Sequence, residues 1–480
     1  MATVLTKRRV VWALIAGLAV VLCLLALTVY ASRRGRGGPA GPVRPAMADT
    51  QGAEQPAPND QDRVSSSETD WPQFRGPMGN GISTDTKIPL EWNDTKNVKW
   101  KAPLPGPGSS SPIVSGGRVF VSCYSGYGTD TKQPGKAETL KRHLLCLKAD
   151  SGEVVWTRTV DAALPEDDFS GPGITEHGYA SSTPVADGER VYAFFGKTGV
   201  LAFDFEGKEL WRADVGRESS NRRWGSSASL LLYRDKVIVN ASEESQSIRA
   251  LDKMTGKEAW RAEGTALELV YATPVMAGLS GGQKDLVIGV PNEVWGLNPD
   301  TGRLLWYAET GLSGNVAPSP VAQDGIVYLM GGYPKQQTLA IRAGGNGDVS
   351  KSQMLWSKKG GSYITSPVLC DGNIYWVDDA GFANCAEAAT GKSVYHERIP
   401  GTAGSGSGKP FYASVVLVGD RLYAVSRTGD TFVLAAKPSF EVLAHNQLAS
   451  DQSVFNGSPA VSNGRLFLRS NRFLYCIGNE

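Results

Sequence analysis

The 480-residue sequence contains no CxxC pair, no two adjacent cysteines, no HExxH and no serine nucleophile elbow. These absences exclude a structural zinc cluster, a dithiol redox centre, a zincin protease and an α/β-hydrolase triad. Histidine is scarce, at four in the chain, and the four are dispersed. Long stretches of Ala, Leu, Glu and Lys are missing too, which argues against a helical protein. The net charge is +1, but Lys7, Arg8, Arg9, Arg33, Arg34 and Arg36 stand in the first 36 residues without an acid, leaving about −5 over residues 37–480. A mildly acidic body lacks the clustered cations that a nucleic-acid surface needs, so no nucleic-acid partner is expected. Cys123, Cys146, Cys370, Cys385 and Cys476 are scattered, several in apolar strand-like contexts such as LLCLKA and FLYCIG. They read as buried small hydrophobes, with a Cys123–Cys146 disulfide left open.

Glycine is plentiful at 56, and Trp plus Tyr total 28. That mixture suits many short strands joined by tight turns. One long hydrophobic run exists, Val10 to Ala31, 22 residues without a charge. A helix of about 20 apolar residues crosses a bilayer, so residues 10–31 are expected to be a transmembrane signal anchor, with residues 1–9 cytoplasmic and the body outside the cytoplasm on the periplasmic side. Cationic residues flank the run on both sides, so the positive-inside rule barely chooses the orientation. The rival is a signal peptide cleaved after Val29-Tyr30-Ala31, although the apolar run exceeds the usual 7–15 residues. Residues 32–69 are rich in Gly, Pro, Ala, Gln and Ser and read as a disordered spacer. Order is expected from DWPQFRGPMGNGIS, residues 70–83.

From there two elements alternate. The first is a turn ending in a large aromatic: LKADSGEVVW, FDFEGKELW, LDKMTGKEAW, LNPDTGRLLW and AEAATGKSVY. The second is a hairpin, seen in SSPIVSGGRVFVS at 110–122 and TSPVLCDGNIYWV at 365–377, with eight copies in all. The aromatic positions are Trp100, Trp156, Trp211, Trp260, Trp306, Trp356 and Tyr395, with His445 as a degenerate eighth, at a mean spacing near 49 residues. A period of about 40–50 residues with four strands per unit marks a β-propeller. We therefore expect an all-β, eight-bladed propeller of four-stranded blades over residues 70–480.

The turn chemistry follows from that frame. The Asp accepts hydrogen bonds from the turn backbone, and Gly supplies the positive φ of the reversal. Each aromatic, on the outer strand, is expected to dock on the neighbouring blade with its indole N–H on a backbone acceptor. Closure is expected from NVKWKAP, a fourth strand without a blade, pairing with the terminal FLYCIG, a third strand without a fourth.

The repeat resembles the PQQ-like (pyrroloquinoline quinone repeat) propeller family, whose members carry an ALDxxTGKxxW turn in each blade, here LDKMTGKEAW and LNPDTGRLLW. WPQFRGPMGNG looks like the lead-in of exported, membrane-tethered members. The resemblance implies one of two functions. One is a BamB-like, non-catalytic envelope scaffold that binds other envelope proteins. The other is a quinoprotein that oxidises alcohols or sugars with pyrroloquinoline quinone and calcium. Calcium needs six to eight oxygen ligands, and alcohol-oxidising members typically carry a ring formed by adjacent cysteines, which is missing here. The scaffold reading is preferred, with no catalytic residue, metal or cofactor assigned.

A partner or ligand is expected on the face made by the loops that lead into each first strand. Tyr179, Trp224, Tyr271, Tyr363, Tyr412 and Phe455 precede those strands, and aromatics dominate protein interfaces. The loop LPEDDFSGPGITEHGY adds Glu166, Asp167, Asp168 and His177, and RESSNRRWG adds Arg217, Arg222 and Arg223. The acids are candidates for a cation and the histidine for a base, against the plainer reading of a solvated charge cluster. GTAGSGSGKPF, with Lys409, lacks the GKS or GKT and the helix of a phosphate loop. The insertion IRAGGNGDVSKSQMLW puts the geometry of the Trp356 blade in question.

Overall fold

The computed structural model describes residues 43–48, 69–402 and 408–479. The expected anchor at 10–31 and most of the expected spacer lie outside the described residues. Among the described residues no helix is long and apolar enough to cross a membrane.

Residues 98–478 form eight antiparallel sheets of four principal strands each, arranged as the blades of a propeller. Blade 1 runs from Ile113–Ser115 to Val154–Asp161, blade 2 from Val185–Ala186 to Glu209–Ala213 and blade 3 from Leu231–Tyr233 to Glu258–Glu263. Blade 4 runs from Val275–Gly278 to Leu304–Glu309, blade 5 from Val321–Gln323 to Met354–Lys359 and blade 6 from Val368–Cys370 to Ser393–Arg398. Blade 7 spans Val416–Val418 to Val442–Asn446. Blade 8 takes three strands from Ala460–Ser462, Arg465–Arg469 and Phe473–Gly478, and its outer strand is Val98–Pro103. Trp100 lies opposite Cys476 in that antiparallel pair, so the ring is sealed as expected.

Burial explains the strand order. The second strand of blade 1, RVFVSCYS, is buried at its six central positions, because both faces pack on neighbouring blades. The outer strand, VVWTRTVD, buries only Trp156 and Val160, the inward side of a two-residue alternation. Seven of the eight outer strands carry a register shift next to a large aromatic. The residue opposite that aromatic is small: Cys146, Ala202, Ala250, Gly296, Ala340, Cys385 and Cys476. Three of the scattered cysteines thus make room for aromatics. All five described cysteines are free, so the disulfide left open between Cys123 and Cys146 does not form.

Five tryptophans dock as expected. The indoles of Trp100, Trp156, Trp211, Trp260 and Trp356 donate to the carbonyls of Ala149, Phe205, Lys253, Pro299 and Ala388, each in the next blade's turn, at 2.8–3.1 Å. The turn glycine lies beneath the ring: a Cβ on Gly302 would stand 2.3 Å from Trp260 Cε3. Asp252 Oδ1 accepts from the amides of Met254 and Thr255, which fixes the reversal. Tyr395 packs on Phe440 of the next blade, with ring centroids 5.9 Å apart.

Two positions depart from the expectation. Trp306 donates to Asp285 Oδ2 at 2.7 Å inside its own blade, not to the next one. Blade 5 has no tight turn to receive it, because the insertion at 343–353 stands there and Gly344 N donates to the same Asp285 oxygen. Gly296 permits the fold-back, since a Cβ there would meet the indole at 2.0 Å. His445 is not the eighth aromatic position either. Ala444 is, opposite Val433, while His445 stacks on Phe432 and bonds Asp430 at 2.8 Å. The missing bulk comes from Trp92, which stacks on Tyr423 of blade 7 and joins the cluster that includes Ala444.

The segment before the first blade strand crosses one face. Trp71 bridges Val114 of blade 1, Ala186 of blade 2 bonds Pro72 O, and Ile82–Ser83 pairs with Leu417 and Val418 of blade 7. Within the stretch expected to be a spacer, residues 44–48 are also docked, against blade 4. Bulk composition does not reveal this, because one arginine and two backbone hydrogen bonds anchor the segment.

Candidate functional site

The eight hairpin copies carry Ser or Thr at one register: Ser111, Thr183, Ser229, Thr273, Ser319, Ser366, Ser414 and Ser458. Each backbone N–H donates to the hydroxyl of the next residue in this series, and Ser458 N returns to Ser111, all at 2.9–3.1 Å. The result is a closed hydroxyl belt around the axis. All eight residues are buried and all eight line an axial cavity of about 280 Å³. Phe74, from the crossing segment, lines this cavity and also a broad groove on the opposite side, so it closes the channel beneath the belt.

The other end of the cavity opens among the loops that lead into the first strands. Trp224, Tyr271, Tyr363 and Tyr412 line it there, together with His177, Glu176, Lys409, Arg427, Asn315 and Asn456. Four of the six expected aromatics therefore converge on one mouth. Trp224 and Tyr271 stack at 5.9 Å. Lys409 Nζ stands 4.4 Å over the Tyr363 ring, and the Arg427 guanidinium 4.3 Å over Tyr412.

Two of the charges at the mouth are tied to one another. Arg427 pairs with Glu176 at 2.7 Å and donates to Asn456 Oδ1 at 3.1 Å. Asn456 in turn donates to Glu176 O and to Ser109 Oγ. His177 Nδ1 lies 2.7 Å from Ser181 Oγ, whose own proton goes to His177 O. That hydroxyl can only accept from the ring, so Nδ1 carries the hydrogen. Burial pulls the His177 pKa down to about 4, and the imidazole is neutral at physiological pH.

The remaining expected residues lie elsewhere. Asp167 and Tyr179 are buried in the neighbouring wall, and Phe455 is buried behind the mouth. Lys197 bridges Asp167 at 3.1 Å, Ser219 donates to Asp167 Oδ1 at 2.6 Å, and Tyr179 OH bonds Asp167 O at 2.7 Å. Arg142 pairs with Glu166 and donates to Tyr179 O and Thr198 Oγ1. Glu166 and Asp167 are thus held in two buried ion pairs rather than solvated. A lone sequence cannot show Lys197 arriving from a turn of blade 2 and Arg142 from a strand of blade 1. Asp168, Arg222 and Arg223 are exposed, Arg222 reaching over the Trp224 ring at 5.8 Å. Beside the ion pairs lie Glu243 and Glu244, which sequence reasoning missed. Glu244 accepts from Ser226 Oγ, and burial pushes its pKa up to about 8.

These donors do not fit calcium-held pyrroloquinoline quinone. Glu176 is the carboxylate among the described residues lining the cavity, and it is neutralised by Arg427. No group of three or more His, Cys, Asp and Glu side chains converges for a metal among the described residues. His177, near pKa 4, is too weak a base to take an alcohol proton efficiently at neutral pH. The arrangement is suited to binding: a mouth of aromatic faces and charged edges above a hydroxyl-lined, dead-ended cavity.

Comparison with known proteins agrees with the architecture. BamB from Moraxella catarrhalis superposes with a TM-score of 0.55 at 14% identity, over 80% of this chain and 97% of that one. The quinohemoprotein alcohol dehydrogenase ADHIIG from Pseudomonas putida HK5 gives 0.54 at 12%, over 87% and 83%. The computationally designed Ika8 protein gives 0.50 at 12%, over 78% and 98%. At such identities the likeness is one of fold. A curated relative, tetrathionate hydrolase of Acidianus ambivalens, is 29% identical over 129 residues, 23% of this chain. The chain spans only about a quarter (24%) of that relative's length. The family model described as outer membrane protein assembly factor BamB matches residues 140–397, more than half of the sequence, and the chain belongs to that family of PQQ-like propellers.

Proposed function

We propose that this propeller is a non-catalytic binding scaffold of the cell envelope, which takes a segment of another protein at the aromatic mouth of its axial cavity. The observation that carries the reading is the mouth itself. Trp224, Tyr271, Tyr363 and Tyr412 gather around an opening where Arg427 is paired with Glu176 and His177 is neutral. Aromatic side chains on a rigid rim give large contact area at little entropic cost. The closed belt beneath supplies that rigidity. In this reading residues 10–31 hold the protein in the membrane, with the propeller outside the cytoplasm; the uncharged run of 22 residues supports it. Membership of the BamB family, and the fold shared with a BamB, favour a partner that is itself an envelope protein.

The test is site-specific photocross-linking in native membranes, with the photoreactive residue at Tyr363 or Tyr412 and, as control, at Met78 on the opposite face. A discrete protein adduct from the mouth positions, abolished by Trp224→Ala, is the expected result. Adducts that do not distinguish the two faces would overturn it. Titration with pyrroloquinoline quinone, with and without calcium, addresses the quinoprotein reading directly: stoichiometric calcium-dependent binding would replace the scaffold by an oxidoreductase.

A further inference from the structure

Residues 44–48 are held by a set of contacts of the kind that recognises a peptide. Arg44 Nε lies 3.1 and 2.9 Å from the two carboxylate oxygens of Glu293, and Nη2 lies 2.6 Å from Oε1. Glu293 is 3% exposed, and its Oε2 also accepts from Trp295 Nε1 at 2.6 Å. The guanidinium lies 3.6 Å over the Tyr307 ring. Two residues on, the chain meets the edge of blade 4 in a parallel bridge: Leu304 N donates to Ala46 O at 3.0 Å, and Ala48 N to Leu304 O at 2.9 Å. The next stretch of that edge, Trp306–Tyr307, is already covered by Gly347–Asp348. One strand position and one charged pocket are therefore what blade 4 offers.

The chemistry of that pocket selects its occupant. A carboxylate buried to this degree is costly without a counter-charge. Planar contact on Tyr307 together with a forked contact to both oxygens suits guanidinium and not ammonium. The sequence around the segment, GGPAGPV before and DTQGAEQPAPNDQDRVSSSE after, has almost no large apolar side chains. Arg44–Ala48 is thus a short recognition motif in linker-type sequence.

We propose that the outer edge of blade 4 is a binding site for an extended peptide carrying an arginine ahead of small residues, which the chain's own Arg44–Ala48 fills in cis. The site is separate from the axial mouth and does not rest on the function proposed above. A partner presenting the same pattern reaches blade 4 by displacing the chain's own segment. Against a covalently linked competitor, whose effective concentration is of millimolar order, a free peptide binds weakly to the intact protein.

The experiment uses the full chain. A fluorescein-labelled synthetic peptide of residues 41–50, GPVRPAMADT, is titrated into the wild type and into Arg44→Ala, with anisotropy as the readout. Removing the internal arginine is expected to tighten peptide binding by at least about tenfold, as the internal competitor is lost. The same peptide with Arg44→Gln is expected not to bind either protein. If Arg44→Ala does not fold, Arg44→Lys keeps the charge but loses the fork and serves in its place. Equal affinity of wild type and variant, no binding to the variant, or binding unaffected by the Gln substitution in the peptide would each overturn the proposal.

Discussion

The amide of Ser458 donates to the hydroxyl of Ser111 at 3.0 Å, across 347 residues of chain. That bond makes the belt a ring without a first or last member. Each hydroxyl satisfies a buried N–H that has no strand partner on its inner side.

Replacing Ser229 by Ala leaves the Thr183 amide unsatisfied at a buried position, at a cost of about 1–3 kcal/mol. Ser111→Ala does the same to Ser458, and the two variants are expected to lose similar stability despite their distance in sequence. Ser229→Thr keeps the hydroxyl and should restore most of the loss. Urea unfolding of the three variants measures this, and a loss confined to Ser111→Ala would mean that only the closing bond matters.

Trp260 and Trp306 look alike in sequence and are expected to respond differently to Phe. Trp260→Phe frees only the Pro299 carbonyl and costs roughly 1 kcal/mol at any pH. Trp306→Phe removes the indole donor from Asp285, a carboxylate whose pKa burial already raises. Its cost should be about 1–3 kcal/mol near neutrality. It should shrink as the pH falls through the raised pKa and Asp285 takes up a proton. Denaturation midpoints at pH 7 and pH 4 separate the two cases.

Gly302 and Gly117 have nearly the same positive φ, 71° and 72°. A methyl at Gly117 meets nothing within 4 Å, so Gly117→Ala bears the backbone penalty alone, about 1 kcal/mol. The methyl of Gly302→Ala strikes the Trp260 ring and raises the total to roughly 2–4 kcal/mol. Thermal unfolding of both variants distinguishes a conformational requirement from a steric one. Equal shifts would show that Trp260 moves aside without cost.

Glu244 links folding to pH. Burial holds its folded pKa at about 8 against an ordinary carboxylate value of 4.5, so between those pH values the native state holds a proton that the unfolded chain releases. The contribution is fully present below about pH 4.5 and is lost as the pH rises to about 8. Glu244→Gln keeps a neutral side chain at all pH values and should flatten that part of the profile. Stability measured from pH 5 to 9 checks it; an unchanged slope would show that Glu244 is ionised when folded.

Much of this fold is visible in sequence because it repeats. Blade count, strand order, the turn around Asp252 and Gly256, and closure through Trp100 all follow from a pattern sampled many times. The misreadings fall where the pattern is broken by a partner from another blade. Trp306 carries the same local signature as Trp260, and its fold-back depends on the neighbouring insertion. Gly296, opposite it where other blades have Ala or Cys, was the available signal. The hydroxyl belt was written in SSP, SSTP and GSP, but its bonds join residues one full blade apart and need the ring geometry to be seen. At the candidate site the aromatics were legible by position alone. The burial of Asp167 and Tyr179 was not, since Lys197 comes from a turn of blade 2 and Arg142 from a strand of blade 1, neither of which the loop sequence mentions.

The seal of the ring also sets an order in time. Strand Val98–Pro103 is among the earliest of the propeller to be synthesised, and its partner Phe473–Gly478 among the last, about 370 residues later. At roughly 5–20 residues per second, the first strand of blade 8 waits on the order of 20–70 s for the strand that pairs with it. Through that interval Trp100 can already rest on the turn of blade 1, while one edge of its strand stays unpaired. A strand so placed is the stretch that a holding chaperone has most reason to cover, and ring closure is the step that releases it.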